Sequence, residues 1–316
     1  MAHEFLKPQV MVDAAVGLAA KQAQLIHTVW RDLETYYDGE VGPDGDEVQV
    51  RLPSVIGNAK DLGFRDQNRQ IETETIKRRK FSVKLDTYPY QAVDLLREEQ
   101  TLDIADYGRE VLQPMAHDVV LFIENKIVNT IENAPYDTEV TIQDEERAFY
   151  KAVVLGNEAL DDYGVAADRR WLVIGTGLHT QIKTDDAMID VHRSGTDALL
   201  RRGEIGSIDG LNVMVSRNIG KYDAYMYHPT AFPTVLKAPA PARSVPFSAS
   251  TSYDGIALTY WESLDSTRDS DRAFLGTFMG NDHLTDPVGP ANKEIFVRGV
   301  KLIGDDNMGD GEEDEG

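Results

Sequence analysis

The sequence predicts a mixed α+β fold on three observations. A hydrophobic fraction of 41% over 316 residues is typical of a soluble globular chain that can bury a sizeable core. Apolar residues recur at three- and four-residue steps in some segments, which indicates one-sided helices, and alternate with polar residues in others, which indicates strands. The helical and extended segments follow one another in blocks along the chain.

The first part of the chain predicts a helix followed by two strands. Apolar spacing indicates a helix from about Val12 to Tyr36, before a glycine- and proline-rich turn at 42–45. The segment Asp46–Leu52 alternates and stops at Pro53, and a second alternating run covers Gln70–Leu85. These two runs, with the polar stretch between them, predict a long hairpin-like arm.

The longest helical pattern follows the arm. Asp103 is the expected cap, Asn133 begins the stop, and Pro114 is expected to bend the helix or to begin its main part. A helix of about 28 residues is on the order of 40 Å long, which suits an architectural spine. Its predicted apolar face consists of Ile104, Tyr107, Val111, Met115, Val119, Phe122, Ile123, Ile127 and Ile131.

The remaining elements form an α/β region and a final β region. The predicted α/β elements are a helix at Glu145–Tyr163, a strand at Trp171–Ile174, a helix to about Thr184, a hairpin at Gly203–Ser216 and a strand at Ala224–Tyr227. A turn at His228–Phe232 leads into a short element. The predicted final strands are Ile256–Trp261, Ala273–Met279 and Glu294–Leu302.

Composition excludes several classes of function. The formal charge is −22, from 54 acidic and 32 basic residues, so the surface repels nucleic acid and anionic membranes. The chain has no cysteine, which excludes disulfides, thiolate nucleophiles and cysteine-bound metal centres. No segment resembles an export signal or the about 20 apolar residues of a membrane span.

The charge is unevenly distributed. Residues 60–84 hold eight bases and four acids, a balance of +4, whereas residues 98–146 hold thirteen acids and two bases, a balance of −11. A basic arm followed by an acidic body suggests that one copy reaches across another. The alternative is an arm paired with its own body, and both interpretations stay open here. The tail, 305–316, holds seven acids and no base, and is predicted to be solvated and disordered.

No catalytic, cofactor-binding or metal-ligating residue is predicted. Gly175-Thr176-Gly177 follows a strand as a dinucleotide loop would, but Thr180 stands where a third glycine is expected. One acidic and histidine-containing group has metal-ligand residue types without metal-site spacing, and a solvated polar face explains it better. That group is His179, Asp185, Asp186, Asp190 and His192.

The order of parts resembles the major capsid proteins of tailed bacteriophages, which have the Hong Kong 97-type capsid fold. Each pattern is weak alone, but together they cover nearly the whole chain in order. The segments that carry the resemblance are DEVQVRLPS at Asp46–Ser54, the spine helix at Leu102–Ile131, RWLVIGTGLHTQI at Arg170–Ile182, GEIGSIDGLNVMVSRNI at Gly203–Ile219 and AYMYHPTAF at Ala224–Phe232.

The resemblance implies a division of the chain into six parts. These are an N-terminal arm and helix (1–45), an extended β-hairpin loop (46–87), a peripheral domain with the spine helix (88–144), an α/β axial domain (145–235), a return to the peripheral domain (236–304) and the acidic tail (305–316). The chain starts close to its N-terminal arm, so a scaffolding protein, if one is needed, is expected to be separate.

The resemblance implies a non-enzymatic protein that self-assembles into hexamers and pentamers of an icosahedral shell around double-stranded DNA. Its expected location is the virion capsid, with the host cytoplasm during assembly. Expected partners are other copies, a portal protein and possible scaffolding and decoration proteins, with no membrane and no sequence-specific DNA contact. Two alternatives remain: an encapsulin-like nanocompartment shell, and an acidic soluble enzyme with a site near His179 and Asp185.

On this reading the basic arm contacts the acidic body of a neighbouring copy. One exposed ion pair contributes only about 0–1 kcal/mol, but a network repeated at every interface adds up. The expected contacts join Arg65, Arg69, Lys77, Arg78, Arg79 and Lys80 of one copy to Glu98, Glu99, Asp103, Asp106 and Glu110 of the next.

Overall fold

The fold is described from a computed structural model of the chain. The structure describes residues 8–31, 37–41, 47–52, 71, 73, 79–96, 98, 107–142, 148–184, 206–241, 244–265, 267–288 and 293–304. The α-helices are α1 Pro8–Gln22, α2 Gln113–Glu132, α3 Ala148–Asp162 and α4 Thr176–Thr184. The strands are β1 Tyr37–Val41, β2 Glu47–Leu52, β3 Arg79–Lys84, β4 Tyr90–Leu96, β5 Glu139–Ile142, β6 Trp171–Ile174, β7 Ser207–Ile208, β8 Leu211–Val215, β9 Asp223–Tyr227, β10 Thr234–Lys237, β11 Phe247–Tyr253, β12 Ile256–Asp265, β13 Ser270–Gly276, β14 Phe278–Asn281, β15 Asp286–Val288, β16 Lys293–Ile295 and β17 Gly299–Gly304.

The strands form two larger sheets and three small ones. The larger sheets have the strand orders β11-β12-β13-β4 and β5-β17-β9-β6-β8-β7, and the small ones are β1-β2-β3, β10-β14 and β15-β16. The mixed α+β prediction is therefore confirmed.

The four-stranded sheet is antiparallel, and one of its faces packs against helices. Helices α1 and α2 pack against this sheet and against each other. Leu258 and Leu275 of the sheet share one core with Val16 of α1 and Ile123 of α2. Because alternate strand residues point to opposite faces, the other face of the sheet carries the intervening side chains.

The six-stranded sheet separates two hydrophobic cores. In β9, Ala224 and Met226 belong to the core beneath α3 and α4, whereas Tyr225 and Tyr227 belong to the core shared with α1 and α2. This alternation buries both faces of the central strand, which explains its unbroken run of apolar residues. The predicted hairpin is confirmed at Asp209-Gly210, whose φ values of 49° and 77° are those of a tight type I′ turn.

The predicted spine helix is confirmed in its described part, with one correction to its apolar face. A π-helical segment, Gly108–Leu112, leads into α2, and Pro114 lies in the first turn of α2, so the main part of the helix begins at this proline, as predicted. Asn133 caps the helix, as predicted. Phe122 was assigned to the buried face but is 50% exposed, because it lies on the edge of the stripe centred on Val119 and Ile123.

The first helix is shorter than predicted. It ends at Gln22 instead of Tyr36, and a 3₁₀ turn at Leu25–His27 follows. The Leu25 N–H donates to the Glu124 carboxylate of α2 at 3.0 Å. In a continued helix this N–H would bond to a backbone carbonyl one turn earlier, and here a side chain of another helix takes that place. Trp30 then bridges to Pro233 as extended backbone, and β1 begins at Tyr37.

The arm prediction is confirmed for its two described strands. β2 and β3 pair antiparallel with Val50 opposite Phe81, and Val50 and Val83 are fully buried. The rest of the predicted second run, apart from isolated positions, lies outside the described residues, as does the tail at 305–316.

The six-stranded sheet draws strands from outside the expected axial segment. β5 and β17 pair in parallel, and β17 pairs antiparallel with β9. The predicted boundaries at 145 and 235 leave both strands out of the segment that holds β6 to β9. The domain boundaries stay a prediction. The pairing of β5 and β17 in this sheet does not fit the boundaries at 145 and 235.

Candidate assembly surfaces

The arm is joined to the body by a half-buried ionic contact that we call the arm clamp, formed by Arg79, Asp286 and Arg298. Arg79 on β3 donates from Nη1 to Asp286 Oδ1 at 3.0 Å. Arg298, before β17, donates to both oxygens of the same carboxylate at 2.5 and 2.9 Å. One carboxylate therefore joins two guanidinium groups, one on the arm and one on the body.

The clamp holds its carboxylate in the charged form. Burial alone would raise the pKa of Asp286, but the hydrogen bonds and positive charges of Arg298 and Arg79 outweigh burial and lower that pKa below its usual range. Arg79 also donates from Nη2 to the Thr285 carbonyl at 3.0 Å and reaches Glu294 at 3.5 Å.

The body side of the clamp continues to a buried histidine. Arg298 Nη1 donates to Thr230 Oγ1 at 2.7 Å, and that hydroxyl lies 2.8 Å from His228 Nδ1. The Thr230 N–H also donates to Nδ1 at 3.3 Å, which identifies Nδ1 as the acceptor. Burial lowers the pKa of His228, so the ring is neutral at pH 7.

A close backbone approach also holds the arm. The chain after β3 runs antiparallel to β14, with the Thr87 N–H and C=O bonded to Met279 at 3.1 and 2.9 Å. A Cβ atom on Gly280 would lie 2.3 Å from the Lys84 carbonyl oxygen, so only glycine fits here. The clamp and this contact together set the direction of β3 relative to the body.

The face of the four-stranded sheet opposite α1 and α2 carries aromatic side chains, which we call the aromatic face. The Phe274 ring is stacked between Trp261 at 4.8 Å and Tyr90 at 5.5 Å, measured between centroids. Tyr88 lies against Phe278 at 4.6 Å. Tyr90 is 63% exposed and Tyr88 44% exposed, although both are large aromatic residues.

The cross-strand pair next to the aromatic rings, Arg272 of β13 and Asp94 of β4, carries no net charge. Arg272 forms a two-pronged ion pair with Asp94, at 2.6 and 2.8 Å, across β13 and β4. This contact lowers the pKa of Asp94. The aromatic face is thus a patch of apolar rings flanked by a self-neutralised pair on a chain whose net charge is −22.

The predicted contact residues fall into three groups. Arg79 bonds to its own chain, which for this residue matches the alternative of an arm paired with its own body. Lys80, Glu98 and Glu110 have exposed side chains, and Lys80 approaches Gln49 at 3.5 Å. The other predicted residues lie outside the described part of the chain: Arg65, Arg69, Lys77, Arg78, Glu99, Asp103 and Asp106.

Sequence reasoning missed Asp286 and Arg298 as partners of the arm. Asp286 lies 207 positions from Arg79, and no local pattern marks a pair at that separation. The nearest sequence signal is the predicted strand Glu294–Leu302, which contains Arg298 but gives no partner for it; in the structure Arg298 lies between β16 and β17.

The glycine loop before α4 is filled by its own backbone. The N–H groups of Gly177 and Leu178 at the start of α4 donate to the Lys221 carbonyl at 2.9 and 3.3 Å. A Cβ on Gly175 would lie 2.1 Å from the Gly220 carbonyl oxygen. The donors that a bound phosphate would require are therefore occupied, and these glycines serve close chain packing.

The remaining site hypotheses involve residues that the structure describes only in part. His179 lies on α4, and Asp185, Asp186, Asp190 and His192 fall outside the described residues. Within the described ranges there is no group of three or more metal-ligating side chains. Of the helices that the structure describes, none has the length and apolarity to cross a membrane.

Comparisons by sequence give no relative. No protein-family model matches the chain, and no curated protein matches it.

Comparison with solved structures finds proteins that share this fold over most of the chain. A structure titled "Mycobacterium phage Che8" matches with a TM-score of 0.59 and 16% identity, over 89% of this chain and 90% of its own. The "Asymmetric unit of bacteriophage PhiM1 mature capsid" matches with a TM-score of 0.56 and 11% identity, over 84% of each chain. A virus-like particle from Pyrococcus furiosus matches with a TM-score of 0.51 and 10% identity, over 93% of this chain and 98% of its own. The chain therefore has the fold of bacteriophage capsid proteins.

Proposed function

We propose that this chain is the major capsid protein of a tailed bacteriophage, a non-enzymatic subunit that assembles into hexamers and pentamers of an icosahedral shell. The observation that carries the proposal is the extent of the structural likeness, which covers most of this chain and most of each phage protein compared.

Within this proposal the chain has a Hong Kong 97-type organisation. The arm is the extended loop, α2 is the spine helix of the peripheral domain, and the six-stranded sheet with α3 and α4 is the axial domain. Since β5 and β17 pair in that sheet, the proposed axial domain takes in 139–142 and 299–304 in addition to 145–235.

The aromatic face is the proposed contact with a second copy of the chain. Copies with a net charge of −22 repel one another overall, so a patch that carries little charge is a favourable place for contact between them. The aromatic face meets that requirement, because its only close ion pair among the described residues, Arg272 with Asp94, is internally neutral. Tyrosine, tryptophan and phenylalanine are also the residues enriched at the centres of protein interfaces.

The enclosed molecule is proposed to be double-stranded DNA held without a specific binding site. An acidic subunit does not grip phosphate, which would let packaged DNA slide against the wall. A portal protein, and scaffolding and decoration proteins where present, complete the proposed partners. The proposed location is the virion capsid, with assembly in the host cytoplasm.

An encapsulin-like nanocompartment is the second candidate, supported by the likeness to the Pyrococcus furiosus virus-like particle over 93% of this chain. Such a shell would be built from the same contacts between copies but would enclose protein cargo. The contents of purified particles distinguish the two candidates: DNA supports the capsid, and a bound enzyme supports the nanocompartment.

Sedimentation velocity and electron microscopy of the purified chain test the proposal. We expect closed shells or capsomers from the wild type, and only small species from Trp261→Asp, which places a charge in the aromatic face. Tyr253→Asp is the matched control, because Tyr253 is 66% exposed but lies at the turn between β11 and β12, away from Trp261. A wild-type monomer or dimer, above all one with enzymatic activity, contradicts the proposal.

A further inference from the structure

We propose that the arm clamp is a joint that loosens in acid, with His228 as its proton sensor. The inference goes beyond shell formation, since it concerns how one subunit holds its own arm.

Asp286 is the carboxylate that joins Arg79 of the arm to Arg298 of the body, and Glu294 adds a longer ion pair to Arg79 at 3.5 Å. Arg79 comes from β3 of the arm, and Arg298 comes from the turn before β17 in the six-stranded sheet. The side chains of Arg79, Asp286 and Arg298 are 25%, 21% and 24% exposed, so water screens the contact only partly. A movement of Arg298 therefore displaces the shared Asp286 carboxylate and weakens its bond to Arg79.

His228 is connected to Arg298 by one hydroxyl group. The Thr230 hydroxyl accepts from Arg298 and lies within hydrogen-bonding distance of His228 Nδ1. His228 is 6% exposed, and its Nε2 has no hydrogen-bond partner among the described residues. The ring is thus a buried base whose only satisfied nitrogen points toward the clamp.

Protonation of His228 disrupts this arrangement for two reasons. With a proton on Nδ1, the ring no longer accepts from the Thr230 N–H, and the hydroxyl must turn away from its present position. The charged groups that face the ring are Arg298 near the clamp, and Asp168, Arg169 and Arg170 before β6. Three cations and one anion surround the ring, so an added positive charge on His228 is unfavourable. We expect the 228–230 turn and Arg298 to move apart when the ring is protonated, because this separation reduces the repulsion.

The sign of the effect follows from the direction of the histidine shift. Burial lowers the pKa of His228 in the folded chain, so between its unfolded value of about 6.5 and its lower folded value the unfolded chain binds more protons. The stabilisation is complete above about pH 6.5 and is lost as the pH falls below it. Asp286 has a lowered pKa and stays charged over this range, so the first acid step belongs to His228.

Amide hydrogen exchange of β3 tests the joint in the purified full chain. After correction for intrinsic exchange rates, protection of Arg79–Lys84 is expected to fall between about pH 6.5 and pH 4.5, by up to about tenfold per pH unit, the limit for one coupled proton. His228→Gln, whose amide oxygen still accepts from Thr230, is expected to remove this pH dependence. His283→Gln is the matched control, since His283 is 34% exposed at its side chain and lies outside the clamp, and it should keep the wild-type response.

A second variant tests the clamp separately from the buried ring. Asp286→Asn removes the shared negative charge, so protection of β3 should be low at every pH and no longer respond to acid. Acid-independent protection in the wild type, or the same pH response in wild type and His228→Gln, overturns the proposal. Unchanged β3 protection in Asp286→Asn overturns it equally.

Discussion

Replacement of the buried Arg170 gives the sharpest test of how the α3–β6 unit is held together. Its side chain is 2% exposed and lies between α3 and the loop before β6. Nη1 donates to Asn157 Oδ1 at 2.5 Å, and Nη2 donates to the Val165 carbonyl at 2.5 Å. Nε donates to the Ala166 carbonyl at 2.9 Å, and Nη2 also reaches Asp161 at 2.6 Å. Arg170→Met keeps most of the volume and removes every one of these donors.

The expected loss comes mainly from the three neutral acceptors. Asp161 is 62% exposed, so it is rehydrated when its partner is lost, and this exposed pair contributes only about 0–1 kcal/mol. Each of these acceptors belongs to a half-buried or exposed residue, and the loss of its hydrogen bond to the charged guanidinium costs about 1 kcal/mol. We therefore expect the free energy of unfolding to fall by about 3–4 kcal/mol, and the thermal midpoint to fall by roughly 6–10 °C.

Denaturant unfolding of unassembled subunits measures this loss. Arg169→Met is the matched control: it removes the same charge from the neighbouring residue, whose side chain is 74% exposed. The control should stay within about 0.5 kcal/mol of the wild type. If Arg170→Met is no less stable than Arg169→Met, the assignment of Arg170 as the residue that holds the α3–β6 loop is wrong.

Three further predictions concern the arm and the core. Gly280→Ala places a methyl group 2.3 Å from the Lys84 carbonyl oxygen, so it should lower both the thermal midpoint and the hydrogen-exchange protection of β3. Gly17→Ala, at an open position in α1, is the control and should raise the thermal midpoint. Equal effects of the two variants would contradict the close approach at Gly280. Burial raises the pKa of Tyr107, Tyr227 and Tyr260, so the free energy of unfolding should fall as the pH rises above about 10, where the same tyrosines ionise first in the unfolded chain. A free energy of unfolding that stays constant from about pH 9 to pH 11 would contradict this prediction. Lys77→Glu with Arg78→Glu should weaken assembly while the subunit stays folded by circular dichroism, and normal shells from this variant would refute the predicted contact between copies; Arg79 is left unchanged because it bonds to Asp286 of its own chain.

The elements that the sequence predicts well are those whose local pattern agrees with their packing. The stripe from Met115 to Ile131 gives α2, and Asp209-Gly210 gives its hairpin, because spacing and turn chemistry act over a few residues. Strand β11, Phe247–Tyr253, was not predicted, because serine alternates in it with residues that include the small Ala249 and the polar Thr251, which makes the alternation a weak signal. It is a strand because β12 pairs with it along its whole length.

The candidate surfaces are less predictable, for a physical reason. Arg79 lies in a basic cluster that suggested a contact with another copy, and only the folded chain brings Asp286 to it. The aromatic face joins Tyr90 to Phe274 and Trp261 through strand register, which a single sequence does not contain. Local patterns therefore locate charged and aromatic residues, while their partners depend on tertiary pairing.

Electron cryo-microscopy of the purified full-length chain tests the central claim most directly. We predict closed shells in which the aromatic face, with Tyr90 and Trp261, is buried against a second copy. Isolated subunits at high concentration, or shells in which this face lies open to solvent, would contradict it.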